Sequence, residues 1–185
     1  MEALASSCSR EFYPAYHTSG KRKLSDIDWI VWHDEEAASA ESAARYFQSK
    51  ASGGSAHLCV DDNHCFRCLA NEDVAWGAAA PQAPGGGVNH QCFHIEMAGF
   101  ARWSAVVWKS HLNTLRRCAY KTAAHCKQFD LPTEFRYAAD LKAGRKGITT
   151  HREISKAWGG THTDPGPFFP ISMTMWFVRR YYSQL

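Results

Sequence analysis

The sequence predicts an α/β fold, a single domain with a central mixed β-sheet that is flanked by helices. Segments rich in β-branched and aromatic residues alternate along the chain with segments whose apolar residues recur at helical spacing. This alternation is typical of a sheet covered by helices. A chain of 185 residues, 45% of them hydrophobic, is long enough for one domain with a sizeable core. We therefore divide the chain into an N-terminal extension, residues 1–25, and one domain, residues 26–185.

The domain is expected to begin with a strand and a helix. Residues 27–33, IDWIVWH, are rich in β-branched and aromatic side chains, which predicts a buried strand that ends on His33. Ser39 can cap the following helix, in which apolar residues recur at i, i+3, i+4 and i+7 as far as Phe47. Two short strands are then predicted on either side of the turn DDNH, residues 61–64.

A long loop and another buried strand follow. Residues 77–91 are dominated by alanine, proline and glycine, and a loop of this length inside a compact domain is usually functional. Residues 92–98, CFHIEMA, return to strand character. The alternation of a strand turns His94 and Glu96 to one face and Ile95 to the other.

The last third of the chain contains the longest helical pattern. From Ser104 to about Phe129, apolar residues recur at steps of three and four, which predicts one continuous helix. Residues 147–155, GITTHREIS, predict a short strand that delivers His151. Residues 171–182 predict a closing helix.

The segment between these last two elements is a stiff loop. Residues 159–170, GGTHTDPGPFFP, begin with two glycines and contain three prolines, which excludes a helix or a central strand. The loop carries His162 and Asp164 two positions apart. Because each proline fixes one backbone angle, we expect the loop to hold the Asp164 carboxylate in a defined position.

Composition and charge exclude several function classes. The net charge of +3 is too mild to indicate nucleic-acid binding, and the basic run at residues 21–23 is expected on a solvated face. No segment approaches the roughly 18 apolar residues of a membrane helix, so we expect no membrane insertion. The N-terminal residues lack the apolar core of a signal peptide. We therefore expect a soluble protein that is made in the cytoplasm without a leader.

Three side chains suggest a metal site. His33 and His151 lie at the ends of predicted strands, where loops meet over a rigid base, and Asp164 lies in the stiff loop. Two imidazoles and one carboxylate suit a zinc ion with a fourth position open for water. The chain has ten histidines, so each of these two could equally be a surface residue or a hydrogen-bonded core residue.

Five segments of the chain resemble the zinc-dependent N-acetylmuramoyl-L-alanine amidases of the amidase-2 type, in the order found in that family. The family includes phage endolysins, bacterial recycling amidases and peptidoglycan recognition proteins. The resemblance runs from about residue 27 to about residue 180 and looks most like endolysins of phages that infect mycobacteria. The five segments are WIVWH, GGSAHLCVDDNHCFRCLANEDVAWG, NHQCFHIEMAG, GITTHREIS and THTDPGPFFP.

The resemblance implies a function and a set of site residues. It makes His33, His151 and Asp164 the three ligands of a Zn²⁺ cofactor, and Glu96 the catalytic glutamate. Residues 26–185 would be an amidase domain that cuts the bond between N-acetylmuramic acid and L-alanine in bacterial peptidoglycan. As a phage lysin, the protein would lyse the host cell wall after holin-type release.

The chain also departs from the family pattern. His162 stands where many relatives have a lysine that stabilises the oxyanion, and a histidine does this fully only when protonated. Gly77 replaces the histidine of the usual Ala-Trp-His, and Ala56 replaces a tyrosine that some phage amidases use, which leaves more of the proton transfer to Glu96. The expected walls of the substrate groove are loop 77–91 and residues 52–57. The groove side chains are expected to be His57, Trp76, Asn89 and His94.

Two other interpretations stay open at this stage, besides a recycling amidase. The chain could be a muropeptide-binding module on the same fold, although such modules typically lack a metal ligand. It could instead be a structural zinc protein that uses Cys65 and Cys68. A strand would turn these two cysteines to opposite faces, which suits packing better than chelation. The oligomeric state cannot be read from the sequence.

Overall fold

A computed structural model describes residues 12–185 and contains a five-stranded mixed sheet. The strand order is β3-β2-β4-β1-β5; β2, β4, β1 and β5 are parallel, and β3 is antiparallel to β2 at one edge. The predicted α/β fold with a central mixed sheet is therefore confirmed. The strands are β1 Trp29–Asp34, β2 Leu58–Val60, β3 Cys65–Arg67, β4 Cys92–Met97 and β5 Gly147–Thr150.

Helices cover both faces of this sheet. The helices are α1 Ala40–Phe47, α2 Ala105–Ser110, α3 Leu112–Phe129, α4 Ala138–Lys142, α5 His151–Trp158 and α6 Ile171–Tyr182. Helices α3 and α6 pack together over one face, whereas α1 and α5 lie over the other. The predicted cap of α1 is present, since the Ser39 hydroxyl accepts a hydrogen bond from the Ser42 N–H.

The alternation of β1 divides the core into two layers. Ile30 and Trp32 enter the large cluster beneath α3 and α6, and Trp32 donates its indole N–H to the Thr122 hydroxyl at 2.9 Å. Trp29 and Val31 point the opposite way and pack with α5. The large cluster is apolar and closely packed, so it can hold the sheet rigid while the opposite face carries polar side chains.

The predicted continuous helix from Ser104 to Phe129 is broken at His111, which has φ −93° and ψ 51°. The break has a distant cause. Asp62 accepts hydrogen bonds from the Thr114 N–H and hydroxyl, and the His111 Nδ1 lies 2.7 Å from the same carboxylate. A side chain from the β2–β3 turn therefore caps α3, and the helical periodicity of residues 104–129 gives no sign of it.

The predicted strand at residues 147–155 is also wrong in its second half. The strand ends at Thr150, and His151 is the first residue of α5. The Thr150 hydroxyl accepts a hydrogen bond from the Glu153 N–H and so caps the helix. Thr followed three residues later by Glu is a known start signal for helices, and it outweighs the β-branched residues before it.

The basic run at residues 21–23 does not lie wholly in solvent. Arg22 is buried, and its guanidinium donates to the carbonyl groups of Asn89, His90 and Cys92. These carbonyl groups lie just before β4 or at its first residue, so Arg22 supplies hydrogen bonds at the start of this strand. The described part of the predicted extension, residues 12–25, is thus hydrogen-bonded to the domain.

Within residues 12–185, no helix has both the length and the apolar composition that a membrane crossing requires.

The contact between Asp62 and α3 can be tested by substitution. Asp62→Ala leaves the Thr114 N–H without its carboxylate, so the free energy of unfolding should fall by about 0.5–2 kcal/mol. Urea denaturation followed by circular dichroism measures this change. Glu72→Ala, which removes an exposed carboxylate, is the control, and equal stability of the two variants would contradict the capping role.

Candidate metal centre

The parallel pairing of three strands brings distant residues to one edge of the sheet. In the pairing of β1 with β4, His33 lies opposite Glu96. In the pairing of β1 with β5, Trp32 lies opposite Thr150, so the next residues, His33 and His151, are also neighbours. The two imidazole rings meet edge to face with centroids 4.9 Å apart.

The stiff loop adds Asp164 to this pair. One carboxylate oxygen of Asp164 lies 2.9 Å from His33 Nδ1, and the other lies 3.2 Å from His151 Nδ1. The loop is anchored on α5, because the Arg152 N–H donates to the Asp164 carbonyl and the Arg152 guanidinium donates to the Gly166 carbonyl. One potential ligand atom from each of the three residues lies within 4.8 Å of the others.

The protonation states of this group suit a cation. Burial alone would raise the pKa of Asp164, but hydrogen bonds from His151, His162 and His33 outweigh it and hold the pKa well below its usual range. Burial lowers the pKa of His151 to about 4. A carboxylate anion and a neutral imidazole are the forms that bind metals.

The donor set fits zinc with an open coordination position. Two imidazole nitrogens and one carboxylate oxygen are typical zinc ligands, and three protein ligands leave a fourth position for water or substrate. Among the described residues, no cysteine joins the cluster. Cys65 belongs to the core layer under α3 and α6, whereas Cys68 packs against α1 with its Sγ 3.7 Å from that of Cys59. Cys65 and Cys68 therefore lie on opposite faces of the sheet, as predicted.

A cleft of about 590 Å³ opens over the cluster. The candidate ligands and Glu96 lie along it, residues 52–55 form one wall, and residues 161–163 form another. Of the long loop 77–91, only Gly77 and Ala79 reach the cleft within the described residues. Of the predicted groove walls, residues 52–55 line the cleft, whereas most of loop 77–91 does not.

Glu96 is the buried acid of this cleft. Its side chain is 8% exposed, and its Oε2 atom has no hydrogen-bond partner among residues 12–185. Burial raises the pKa of Glu96 well above its usual value, and the negative charges of Asp164 and Glu35 add to this effect. A carboxyl group that can carry a proton near neutral pH suits general acid–base catalysis.

His162 lies at the rim of the cleft. Its side chain is about half exposed, and its ring stacks on that of His151 with centroids 3.9 Å apart. The Nδ1 atom of His162 is 3.5 Å from the Asp164 carboxylate, and this hydrogen bond raises the pKa of the imidazole. The ring is therefore near the candidate ligands and open to a substrate.

Trp76 is the predicted groove residue that lines the cleft. The indole is 43% exposed and donates its N–H to the Ser19 hydroxyl. Its ring also stacks on that of His17 with centroids 4.5 Å apart. Two contacts from the N-terminal segment thus hold a flat apolar surface at the cleft.

The other predicted groove residues lie elsewhere. His57 and His94 are fully buried below the cleft, and burial lowers the pKa of both imidazoles well below the usual value. Asn89 is used internally, since its Oδ1 atom accepts a hydrogen bond from the Ala78 N–H. These three side chains therefore do not form the groove wall, because His57 and His94 have no solvent exposure and Asn89 is hydrogen-bonded within the loop.

Two acidic residues at the cleft were not predicted from the sequence. Asp34 and Glu35 follow His33 directly and line the cleft beside Glu96. Burial raises the pKa of Asp34 to about 7 and that of Glu35 well above its usual value. Consecutive acids immediately after a candidate ligand were the signal that could have identified them.

The family profile described as N-acetylmuramoyl-L-alanine amidase matches residues 23–167. This match covers most of the chain, and the chain belongs to this family of peptidoglycan amidases. No curated protein matches the sequence.

Solved structures with the same fold include a hydrolase, an endolysin and the catalytic domain of XlyA. The Staphylococcus aureus hydrolase AmiA, solved with its ligand, has a TM-score of 0.69 and 14% identity, over 99% of this chain and 90% of AmiA. For XlyA the TM-score is 0.62 with 17% identity, over 90% and 95% of the two chains. A mutant endolysin from Bacillus subtilis has a TM-score of 0.59 and 15% identity, over 92% of this chain and 94% of the endolysin. At these identities the likeness concerns the fold.

The candidate ligand set predicts the effect of removing one member. Asp164→Ala should lower the zinc content of the purified protein well below one ion per chain, because two buried imidazoles alone cannot complete the site. The far-ultraviolet circular dichroism should stay unchanged, since the backbone of residue 164 still accepts from Arg152. Atomic absorption measures the zinc.

Thr163→Ala, a change of the neighbouring loop residue, is the control for this experiment and should keep its zinc. Stoichiometric zinc in a well-folded Asp164→Ala protein would exclude Asp164 as a ligand.

Proposed function

We propose that this protein is a zinc hydrolase that cuts the amide bond between N-acetylmuramic acid and L-alanine in bacterial peptidoglycan. The observation that carries the proposal is the convergence of His33, His151 and Asp164 beside a buried acid, Glu96, in a chain of the amidase family. His33, His151 and Asp164 would hold the ion. A bound zinc ion would polarise the lactyl carbonyl and lower the pKa of its water to about 7.

Glu96 is the proton carrier in this proposal. Its carboxylate takes a proton from the attacking water and delivers it to the nitrogen of the L-alanine leaving group. Two observations support this role. Glu96 lies directly opposite His33 in the pairing of β1 with β4, and burial raises the pKa of its carboxyl group, which favours uptake of a proton. An amine is a poor leaving group unless it receives a proton, so this transfer is the step that needs a buried acid.

His162 is the oxyanion donor in this proposal. Its imidazole is at the rim of the cleft, stacks on His151 and is open to solvent on its other side. A ring N–H can donate to the oxygen that becomes negative when the amide carbon is attacked. His151 and Asp164 restrict the rotation of the ring, so little reorganisation is needed when the charge develops.

The cleft supports a sugar-peptide substrate. Its volume of about 590 Å³ is within the range that holds a ligand of several hundred daltons. The flat exposed ring of Trp76 offers an apolar surface to a sugar ring or to peptide side chains. The similar fold of an endolysin from Bacillus subtilis favours a role in lysis of the host cell wall by a phage.

Product analysis tests the proposal directly. Purified cell wall is incubated with the protein, and the soluble fraction is analysed by mass spectrometry, with a chelator-treated sample as control. The proposal predicts free stem peptides with L-alanine at their amino terminus, and no such peptides after chelation. New reducing sugar ends without free peptides would contradict it, and binding without any product would favour a muropeptide-binding module.

The proposed role of Glu96 predicts a large loss of rate without loss of metal. Glu96→Gln keeps the size of the side chain but cannot accept a proton, so turnover on purified cell wall should fall by ~10²–10⁴-fold. Zinc content should stay at the wild-type level. The control is Glu41→Gln on the outer surface of α1, and wild-type turnover of Glu96→Gln would move the proton transfer to another residue.

The proposed role of His162 predicts a smaller loss that a second donor repairs. His162→Ala should lower turnover by ~10²–10³-fold, the typical effect of removing one oxyanion donor. His162→Lys should keep more activity than His162→Ala because an ammonium group also donates. His64→Ala, which removes a comparably exposed imidazole elsewhere, is the control. Equal rates for wild type and His162→Ala would show that His162 takes no part.

A further inference from the structure

One buried histidine near the cleft has no role in the proposed mechanism. His94 lies on β4 two residues before Glu96, and it has no solvent exposure. Its Nδ1 atom is 3.0 Å from the Nε2 atom of His33, on the side of the His33 ring away from Asp164. The His94 ring thus contacts His33, a candidate metal ligand, at the ring nitrogen that does not face Asp164.

Gly77 makes the position of the His94 ring possible. A Cβ atom at residue 77 would overlap the Cγ and Nδ1 atoms of that imidazole. The ring is therefore pressed against the bare backbone of the loop after Trp76. The closeness of this contact means that any larger residue at position 77 has to displace the ring.

The backbone of His94 is held by a second histidine. The His94 N–H donates to His57 Nδ1 at 3.0 Å, and the His57 N–H donates to the His94 carbonyl at 3.1 Å. The Nε2 atom of His57 lies 3.0 Å from the Asp73 carbonyl and 3.0 Å from the Arg22 guanidinium, so both nitrogens of this ring have partners. These bonds leave the His94 ring little freedom to move along the strand.

When a metal takes the place of the hydrogen bond between His33 Nδ1 and Asp164, the contact between the two rings determines where the proton of His33 lies. The Nδ1 atom of His33 faces Asp164 and is the atom available to a metal. A neutral His33 then carries its proton on Nε2 and donates it to His94 Nδ1. His94 accepts this bond only when its own proton is on Nε2.

The same arrangement leaves His94 Nε2 buried with no hydrogen-bond partner among residues 12–185. An orphaned buried donor destabilises a fold, so its presence calls for an explanation outside fold stability. A leucine at position 94 would have no such orphaned donor. The hydrogen bond between His94 Nδ1 and His33 explains why a histidine is present at this buried position.

We propose that His94 is a positioning residue that orients the His33 ring and keeps its Nδ1 lone pair directed at the metal, with Gly77 as the residue that admits it. Hydrogen bonds of this kind orient metal-binding imidazoles and raise their basicity. The inference rests on the proposed function, because it requires that His33 binds zinc.

Zinc affinity, measured without any substrate, tests this inference. Metal-free protein is titrated with zinc in competition with a chromophoric chelator. His94→Leu removes the acceptor and should weaken zinc binding by about 10- to 100-fold. His94→Asn places an amide oxygen near the position of Nδ1 and should stay closer to wild type than His94→Leu does.

A matched control separates this effect from general damage to the core. His125 is another buried histidine, but it stacks on Phe93 on the opposite face of the sheet. His125→Leu should leave the zinc affinity unchanged even if it changes the melting temperature of the metal-free protein. The cobalt-substituted protein gives a second readout, since reorientation of the His33 ring should shift its visible absorption in His94→Leu and leave it unchanged in His125→Leu.

A double variant tests the part played by Gly77. Gly77→Ala should weaken zinc binding because the new Cβ displaces the His94 ring. In a His94→Ala background the clash is gone, so the same Gly77→Ala change should alter zinc affinity by at most about two-fold. Full additivity of the two changes would show that Gly77 acts independently of His94.

The outcomes distinguish this inference from the proposed function. Stoichiometric zinc in the wild type, with equal affinity in His94→Leu, would overturn the positioning role and leave the zinc amidase proposal standing. Equal losses in His94→Leu and His94→Asn would also overturn it, because the acceptor would then be irrelevant. A wild-type protein that binds no zinc would overturn both.

Discussion

The parallel register of β1 with its two neighbours is the constraint on which the site depends. Pairing of β1 with β4 places His33 opposite Glu96, and pairing with β5 brings His151 alongside. Side chains alternate along a strand, so a slip of one residue in either pairing would turn one of these groups toward the apolar layer. The long core helices enforce the register, because the residues next to the site residues, Trp32 and Ile95, must stay in that layer.

The site costs stability that the opposite face of the sheet offsets. Two imidazoles and several carboxyl groups are buried within a few residues of one another, and some of their polar atoms have no partner in the described part of the chain. Asp164 is the exception, since imidazoles surround it. The cluster under α3 and α6 lies directly behind these strands and consists mainly of apolar side chains. The closely packed apolar face therefore supports a polar face whose hydrogen bonds are incomplete.

The parts of the fold that sequence could predict are those set by local patterns. β-Branched and aromatic residues indicated β1, alternation along β4 indicated that Glu96 faces away from Ile95, and the cap at Ser39 indicated α1. The break at His111 was not predictable, because its cause is the Asp62 side chain nearly fifty residues earlier in the chain. The start of α5 was readable from its cap, but the β-branched residues before it favoured a strand.

The candidate site shows the same division. Strand ends and the stiff loop pointed to His33, His151 and Asp164 before any geometry was known, while the resemblance supplied their roles. The packing of His94 on Gly77 could not be predicted from the sequence. The two residues are on different elements, and they come close only because glycine has no side chain. Burial separated Trp76, which reaches the cleft, from His57, which does not.

The central claim is that two imidazoles and one carboxylate hold a zinc ion under this cleft. X-ray absorption at the zinc edge of the zinc-loaded protein tests it most directly, because the first coordination shell reports ligand type and distance. The account predicts two imidazole nitrogens at about 2.0–2.1 Å and oxygen at about 2.0–2.2 Å, with no sulfur. A shell of sulfur at about 2.3 Å would place the metal on cysteines and contradict the account.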